Sequence, residues 1–104
     1  MIKIGSNISS FSAPSYRPAG KKELEDIIEE RIVKEGYNCD LNDIDVSLIT
    51  DMDGLFYDSP FNGDISNWNV SRVKYMPYLF YKSEFNGDIS KWNIRKDCDT
   101  YNMC

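Results

Sequence analysis

A 24-residue repeat occupies the last two-thirds of the chain. The pattern F-N-G-D-I-S-x-W-N occurs at Phe61–Asn69 and again at Phe85–Asn93. A shift of 24 residues toward the N-terminus aligns a weaker first copy, in which Leu55-Phe56-Tyr57 matches Leu79-Phe80-Tyr81. A fixed period with this many matched apolar positions is typical of stacked repeat units, each of which buries its apolar face against its neighbour.

The period divides the chain into copies at about 37–60, 61–84 and 85–104. The third copy is incomplete, and two registers stay open for its last residues. At the strict period Asp97 aligns with Ile49 and Val73, whereas a slip of one residue places Cys98 there.

Each unit begins with an apolar-x-x-apolar-x-apolar segment, which is the spacing of the short strand in leucine-rich repeats. A helical turn or two is expected after Met52 and Met76, followed by a turn at each Asn-Gly pair. The predicted fold is an α/β repeat solenoid, an LRR-like right-handed stack of about three strand–turn–short helix units. The aromatic and methionine side chains that recur with the period are expected in the core: Trp68, Trp92, Met52, Met76, Phe56, Phe80, Phe61 and Phe85.

An amphipathic helix is predicted before the repeats, over residues 21–35. Leu24, Ile27, Ile28, Ile32 and Val33 share one face at helical spacing. A glycine at position 36 is a typical helix stop, so residues 21–36 are expected to cap the stack. Residues 1–20 are rich in Ser, Pro and Gly and predict an irregular arm, with a short strand at 1–4.

The repeat resembles the BspA-like leucine-rich repeat, also described as a Mycoplasma-type surface-protein repeat of unknown function. The residues that carry the resemblance are Ile65-Ser66, Trp68-Asn69-Val70-Ser71, Val73, Met76, Leu79-Phe80-Tyr81, Ser83 and Phe85-Asn86-Gly87-Asp88. The resemblance covers about residues 40–94. It implies a solenoid that works by adhesion or protein binding, and it supplies no catalytic residues.

Composition argues against an enzyme. The chain has no histidine, which removes the usual general base and the commonest metal ligand. Its three cysteines, Cys39, Cys98 and Cys104, match no zinc or redox spacing. We therefore expect no catalytic residues, no metal site and no cofactor.

The polar residues between the apolar positions of the predicted strands are the candidate partner-binding site, since they would point away from the core. They are Asp43, Asp45, Asn67, Asn69, Lys91 and Asn93. The alternative is that the asparagines only solvate the sheet or bridge adjacent turns. Residues 23–64 hold 13 acidic and 2 basic side chains, and this balance disfavours direct contact with nucleic acid.

The sequence thus predicts a non-enzymatic protein–protein interaction module. Two alternatives stay open: a small phage or mobile-element inhibitor that occludes a host defence or nucleic-acid-processing enzyme, and a fragment of a bacterial surface adhesion repeat. No run of apolar residues is long enough to span a membrane, and we expect the cytoplasm of a bacterial host, with the extracellular surface as the alternative. The third copy lacks a visible cap, so a second subunit, the arm or a partner is expected to cover it.

Overall fold

The computed structural model of the chain describes residues 16–104. Helix α1 spans Lys21–Glu35, and the repeat units follow it. The predicted strand at 1–4 and most of the predicted arm lie outside the described residues.

The predicted α/β stack is wrong. Across residues 16–104, α1 is the one helix and no sheet is present. Strand-like pairing in this part of the chain consists of isolated parallel bridges, which join Tyr16 to Ile44, Asp40 to Asp64, Asp51 to Tyr75, and Tyr75 to Asp99. Successive units therefore do pair in parallel at an offset of 24 residues, but through irregular backbone rather than through a sheet.

The predicted strands are tight turns. The Trp68 N–H donates to the carbonyl of Ile65 at 3.2 Å, and the Trp92 N–H donates to that of Ile89 at 3.0 Å. Ile44 makes the same bond to Leu41, at 3.1 Å. A bond from the fourth residue back to the first closes a β-turn. The spacing of three between the first two apolar residues fits that turn, whereas a strand repeats every two residues.

The predicted short helices are also turns. Gly54 has φ 62° and Asp58 has φ 54°, and in the second unit Tyr78 and Lys82 have φ 57° and 58°. A residue in this left-handed region cannot continue a right-handed helix. The segments after Met52 and Met76 therefore fold as successive turns.

These turn segments carry a ladder of backbone hydrogen bonds between units, which we call the backbone ladder. Every second N–H of residues 52–58 donates to a carbonyl of residues 75–81, at 2.7 to 3.0 Å. The pattern repeats between the second and third units, at 2.7 to 2.9 Å. The donor–acceptor pairs are Met52–Tyr75, Gly54–Pro77, Phe56–Leu79, Asp58–Tyr81, Met76–Asp99, Tyr78–Tyr101 and Phe80–Met103.

Equivalent aromatic side chains stack on one another beneath the turns. Ring centroids lie 6.2 Å apart for Phe61 and Phe85 and 6.4 Å apart for Trp68 and Trp92. The Trp68 indole also donates to the carbonyl of Leu41 at 2.9 Å, which satisfies its N–H inside the core. The predicted core positions are confirmed as buried, except that Phe85 is only partly buried.

Helix α1 packs on the first unit through Leu24 and Ile28, which are buried. Ile27 and Ile32 lie against the same cluster. Val33 does not share that face, because 82% of its surface is exposed. The helix ends at Gly36, which has φ 91° and whose N–H donates to the carbonyl of Ile32 at 2.7 Å.

Arg31 anchors α1 to the first repeat unit. Its guanidinium contacts both carboxylate oxygens of Asp43, at 2.8 and 3.0 Å, and the carbonyl of Asp40 at 2.9 Å. It also pairs with Glu35 one helical turn away, at 3.0 Å. Only 13% of the Arg31 side chain is exposed, and its charge-assisted bonds to two carboxylates hold the guanidinium between α1 and the first unit.

The third unit slips by one residue over a short stretch. The Cys98 N–H donates to the carbonyl of Arg95, just as the Val73 N–H donates to the carbonyl of Val70. Cys98 therefore fills the position of Val73 and packs against the core. The bridge between Tyr75 and Asp99 then restores the offset of 24. Both registers that the sequence left open therefore occur, in succession.

The two glycines of the repeated motif differ in what a side chain would meet, and this gives a matched test of the stacking. A Cβ on Gly63 would collide with the backbone carbonyl of Cys39, whereas on Gly87 it would meet the ring of Phe85 at 2.6 Å. We expect Gly63→Ala to lower the free energy of unfolding by about 3 kcal/mol and Gly87→Ala by about 1 kcal/mol. Urea unfolding of both variants measures the difference, and equal losses would contradict this packing.

Candidate protein-binding surface

Two of the predicted site residues, Asp43 and Asp45, form ion pairs within the chain. Asp43 holds Arg31 of α1, as described above. Asp45 contacts Arg17 at 2.9 Å and accepts a hydrogen bond from the Ser47 N–H at 3.0 Å. The bonds from Ser47, and then the one from Arg17, lower the pKa of the Asp45 carboxyl. A charge reversal at either aspartate would thus disturb the fold as well as any partner contact.

The other predicted site residues lie at equivalent positions in the later units, and all are exposed. The Asn67 N–H donates to the side-chain oxygen of Asn42 in the unit before it, at 2.8 Å. The Asn69 side chain accepts from the Ser71 N–H at 3.1 Å. Lys91 and Asn93 are exposed beside the buried Trp92. The use of all six residues by a partner stays a prediction. The ion pairs of Asp43 and Asp45 were not predicted from the sequence, whereas the turn-bracing bond of Asn69 fits the alternative weighed for the asparagines.

A second exposed surface was missed by the sequence analysis. Four tyrosine rings form a connected cluster along the backbone ladder, which we call the tyrosine surface: Tyr57, Tyr78, Tyr81 and Tyr101. Tyr78 lies at its centre, with ring centroids 6.4 Å from Tyr57, 5.4 Å from Tyr81 and 5.6 Å from Tyr101. Two of the rings are open to solvent, since Tyr57 is 48% and Tyr101 63% exposed, whereas Tyr78 and Tyr81 are half-buried.

The backbone of the ladder fixes where these rings stand. The Tyr78 N–H donates to the carbonyl of Tyr101 at 2.9 Å, and the Tyr81 carbonyl accepts from Asp58 at 2.8 Å. Tyr78 has φ 57°. The equivalent residues of the first and third units adopt the same conformation: Gly54 has φ 62° and Asn102 has φ 47°. Glycine and asparagine adopt this region readily, whereas a bulky aromatic residue is strained there.

The tyrosine surface offers both apolar area and hydrogen-bonding groups. Within residues 16–104, none of the hydrogen bonds between side chains uses a tyrosine hydroxyl of the cluster. The ammonium group of Lys82 lies 5.8 Å from the centroid of Tyr81, within cation–π range. The arrangement can bind a partner by ring contact and hydrogen bonding.

The sequence carried part of the signal for this surface. Tyr57 and Tyr81 are aligned by the repeat, so one of its positions is tyrosine in two units. Tyr78 and Tyr101 occupy other positions of the unit, and only the ladder brings them beside the first two. No repeat pattern marks a cluster assembled from non-equivalent positions.

The described part of the chain, residues 16–104, places no three His, Cys, Asp or Glu side chains where they could hold a metal ion. Cys39 is buried, Cys98 is half-buried and Cys104 is exposed. Burial raises the pKa of the Cys39 and Cys98 thiols, which disfavours the reactive thiolate form. In the same range, no helix has the length and apolar character to cross a membrane.

A family model matches residues 24–104, and its description is Mycoplasma protein of unknown function, DUF285. The match supports the Mycoplasma-type repeat in the resemblance and gives no support to the leucine-rich-repeat part of it. Comparison with curated proteins and with solved structures found no match for the chain.

Aspartates that accept hydrogen bonds within the turns should make the folded state less stable in acid. Hydrogen bonds from Ser66 and Asn42 lower the pKa of Asp64, and bonds from Ser90 lower that of Asp88. A pKa that is lower in the folded state adds stability above the unfolded value, about 3.9. That stability is lost as the pH falls through the folded value. At pH values below about 4, we therefore expect the free energy of unfolding to decrease.

The matched variant is Asp64→Asn, whose side-chain oxygen can still accept the bond from Ser66 but cannot titrate. Urea unfolding between pH 7 and pH 2.5 should show a weaker acid dependence in this variant than in the wild type. An identical pH profile for the two proteins would show that Asp64 contributes nothing to it.

Proposed function

The chain belongs to the family of Mycoplasma proteins of unknown function, and on that premise we propose that it is a non-enzymatic protein-binding module whose tyrosine surface contacts the partner. The observation that carries the proposal is the cluster of four tyrosines with Tyr78 at its centre. Tyr57 and Tyr101 are about half exposed or more, Tyr78 and Tyr81 are half-buried, and each ring contacts at least one other.

Tyrosine is well suited to such a contact. Its ring buries a large apolar area with few rotatable bonds, and its hydroxyl adds a directional hydrogen bond. Here the rings are also positioned before any partner arrives. Tyr57 lies between two ladder donors, Phe56 and Asp58, and the Tyr78 N–H is itself a donor. A surface ordered in advance loses little conformational freedom on binding, and this favours affinity.

The conformation of Tyr78 supports a functional reason for the cluster. A non-glycine residue in the left-handed region costs about 1–2 kcal/mol. The equivalent positions avoid most of this cost with Gly54 and Asn102. Strain of this kind persists where the surrounding structure enforces it and is common at binding sites. A tyrosine with a strained backbone is expected to persist at the centre of the cluster if its ring contacts a partner.

The non-enzymatic part of the proposal rests on the chemistry that the chain offers. It has no histidine, and the raised pKa values of Cys39 and Cys98 keep both thiols protonated near neutral pH. Nucleophilic catalysis needs an activated group with a base beside it. A role in binding needs neither.

The other predictions made from the sequence remain open beside this one. Partner contact through the six polar residues first predicted awaits a test: Asp43, Asp45, Asn67, Asn69, Lys91 and Asn93. So do a partner or second subunit on the third unit, the inhibitor and adhesion alternatives, the cytoplasmic location and the absence of direct nucleic-acid contact. The inhibitor alternative drew on the acidic half of the chain, which includes α1 and lies apart in sequence from Tyr78, Tyr81 and Tyr101.

Tyr78→Gly is the variant that tests the proposal with least damage to the fold. Glycine relieves the left-handed strain, and this gain offsets the lost contacts of a half-buried ring, so the free energy of unfolding should change by less than about 1 kcal/mol. The affinity for a captured partner should fall about tenfold or more, as expected for a central tyrosine of an interface. Tyr101→Ser should weaken binding in the same direction.

The partner is first captured from bacterial lysate on the immobilised full chain, and its dissociation constant is then measured for each variant. The control is Tyr75→Asp, which removes an exposed tyrosine outside the cluster and restores the residue type found at Asp51 and Asp99. We expect it to bind as the wild type does. Equal affinity of the wild type and Tyr78→Gly, or an equal loss in Tyr75→Asp, would contradict the assignment.

A further inference from the structure

A groove lies between helix α1 and the first repeat unit. Its volume is about 370 Å³, within the range of ligand-binding clefts, about 300–1,000 Å³. Leu55 and Phe56 of the first unit line it, together with Tyr37 and Pro60. The rest of the lining is a single stripe of α1, at helical spacings of three and four residues: Glu25, Ile28, Glu29, Ile32 and Val33. The groove therefore runs along the axis of α1.

The floor of the groove is apolar and reaches the surface. Ile32 and Leu55 are partly buried against the core, whereas the adjoining Val33 and Tyr37 are exposed. The exposed Val33 is thus part of an apolar wall rather than an isolated surface residue. A concave apolar surface with a polar rim is typical of a site of protein interaction.

The rim of the groove is acidic. Glu25 and Glu29 line it, and both are exposed on α1. Within the described residues, 16–104, no lysine or arginine lines the groove. Carboxylates beside an apolar floor favour a partner that places basic side chains next to apolar ones.

The shape and chemistry of the groove favour a helix over an extended segment. The first unit folds as turns beside it, so the partner finds no strand edge there. An extended segment would bring its own unpaired N–H and carbonyl groups against apolar side chains, whereas a helix pairs these groups internally. The stripe from Glu25 to Val33 rises by about 12 Å, and apolar anchors at positions i, i+4 and i+7 of a second helix span about 10.5 Å.

We propose that this groove binds an amphipathic helix of a partner protein, in which an apolar stripe is flanked by lysine or arginine. The helix lies alongside α1. Its apolar anchors pack against Ile32, Val33 and Leu55, and its basic side chains lie beside Glu25 and Glu29. Binding of this kind takes its affinity from the apolar anchors, and the charges at the rim select basic helices over acidic ones.

The inference goes beyond the proposed function and does not depend on it. The groove lining contains none of the four rings of the tyrosine surface among the described residues. Tyr78→Gly should therefore bind a groove peptide as the wild type does. Failure of one proposal leaves the other standing.

The test uses the full chain and a capped, fluorescently labelled peptide whose leucines share one helical face: Ala-Lys-Leu-Ala-Lys-Lys-Leu-Ala-Lys-Leu-Ala-Lys-Lys-Leu. A second peptide has the same composition, with the leucines spread around the helix. A third has glycine in place of each alanine, which lowers its helicity. At an ionic strength of about 0.15 M, where distant charges are screened, both should bind about fivefold or more weakly than the first.

Glu25→Lys and Glu30→Lys are the matched pair of variants. Each reverses an exposed carboxylate of α1, but only Glu25 lines the groove. We expect Glu25→Lys to weaken the first peptide several-fold and Glu30→Lys to stay within about twofold of the wild type. Val33→Gln removes apolar surface at an exposed site and keeps a good helix former. It should weaken the peptide without a change in the urea midpoint, and NMR shifts on binding should include Val33 and Leu55.

The proposal would be overturned by the absence of binding at millimolar peptide, or by equal binding of the peptide with dispersed leucines. Equal effects of Glu25→Lys and Glu30→Lys would show attraction by charge alone and would overturn it as well. Equal or tighter binding of the glycine peptide would point to an extended occupant instead of a helix. A groove filled in the full chain by its own residues 1–15 would also contradict it.

Discussion

The parallel register of 24 residues between units is the constraint on which the rest of the structure depends. It is held by backbone N–H groups of one unit that donate to carbonyls of the next, from Met52 to Asp58 and again from Met76 to Phe80. Because the register is fixed, identical positions meet: phenylalanine stacks on phenylalanine and tryptophan on tryptophan. The repeated motif is thus conserved between copies for the contacts that each copy makes with the next.

The same register places the tyrosine surface. On the outside of the ladder it brings tyrosines from different positions of the unit around Tyr78. Helix α1 packs against the first unit, where its place is fixed by Arg31 and by the buried Leu24 and Ile28. One bonding pattern therefore accounts for a stable core and for an exposed aromatic cluster.

The sequence was sufficient to predict the period, the residues of α1 and the buried aromatic positions, because each depends on apolar spacing alone. It was misleading about the strands. The spacing of Ile65, Trp68 and Val70 fits a leucine-rich-repeat strand and also a turn closed from the fourth residue to the first, and the turn is what forms. The left-handed Tyr78 breaks the expected short helix, and nothing in its residue type predicts that conformation.

The candidate site was harder to predict than the core, since it depends on contacts between distant residues. The pairing of Asp43 with Arg31, and the approach of Tyr101 to Tyr78, join residues with no shared pattern in the sequence. Exposure between apolar positions was predicted for the six polar residues and is seen at all but the half-buried Asp45. The bracing role of Asp43 and Asp45 could not be read from spacing.

Amide hydrogen exchange measured by NMR tests the backbone ladder most directly. The account predicts that the slowest amides outside α1 include Met52, Gly54, Phe56, Met76 and Tyr78, which donate between units. The amides of Asn69 and Asn93, in the segments first expected to be strands, should exchange faster. The slowest exchange at 43–46 and 67–70, with rapid exchange at 52–58, would show that a strand stack holds the units together and would contradict the account.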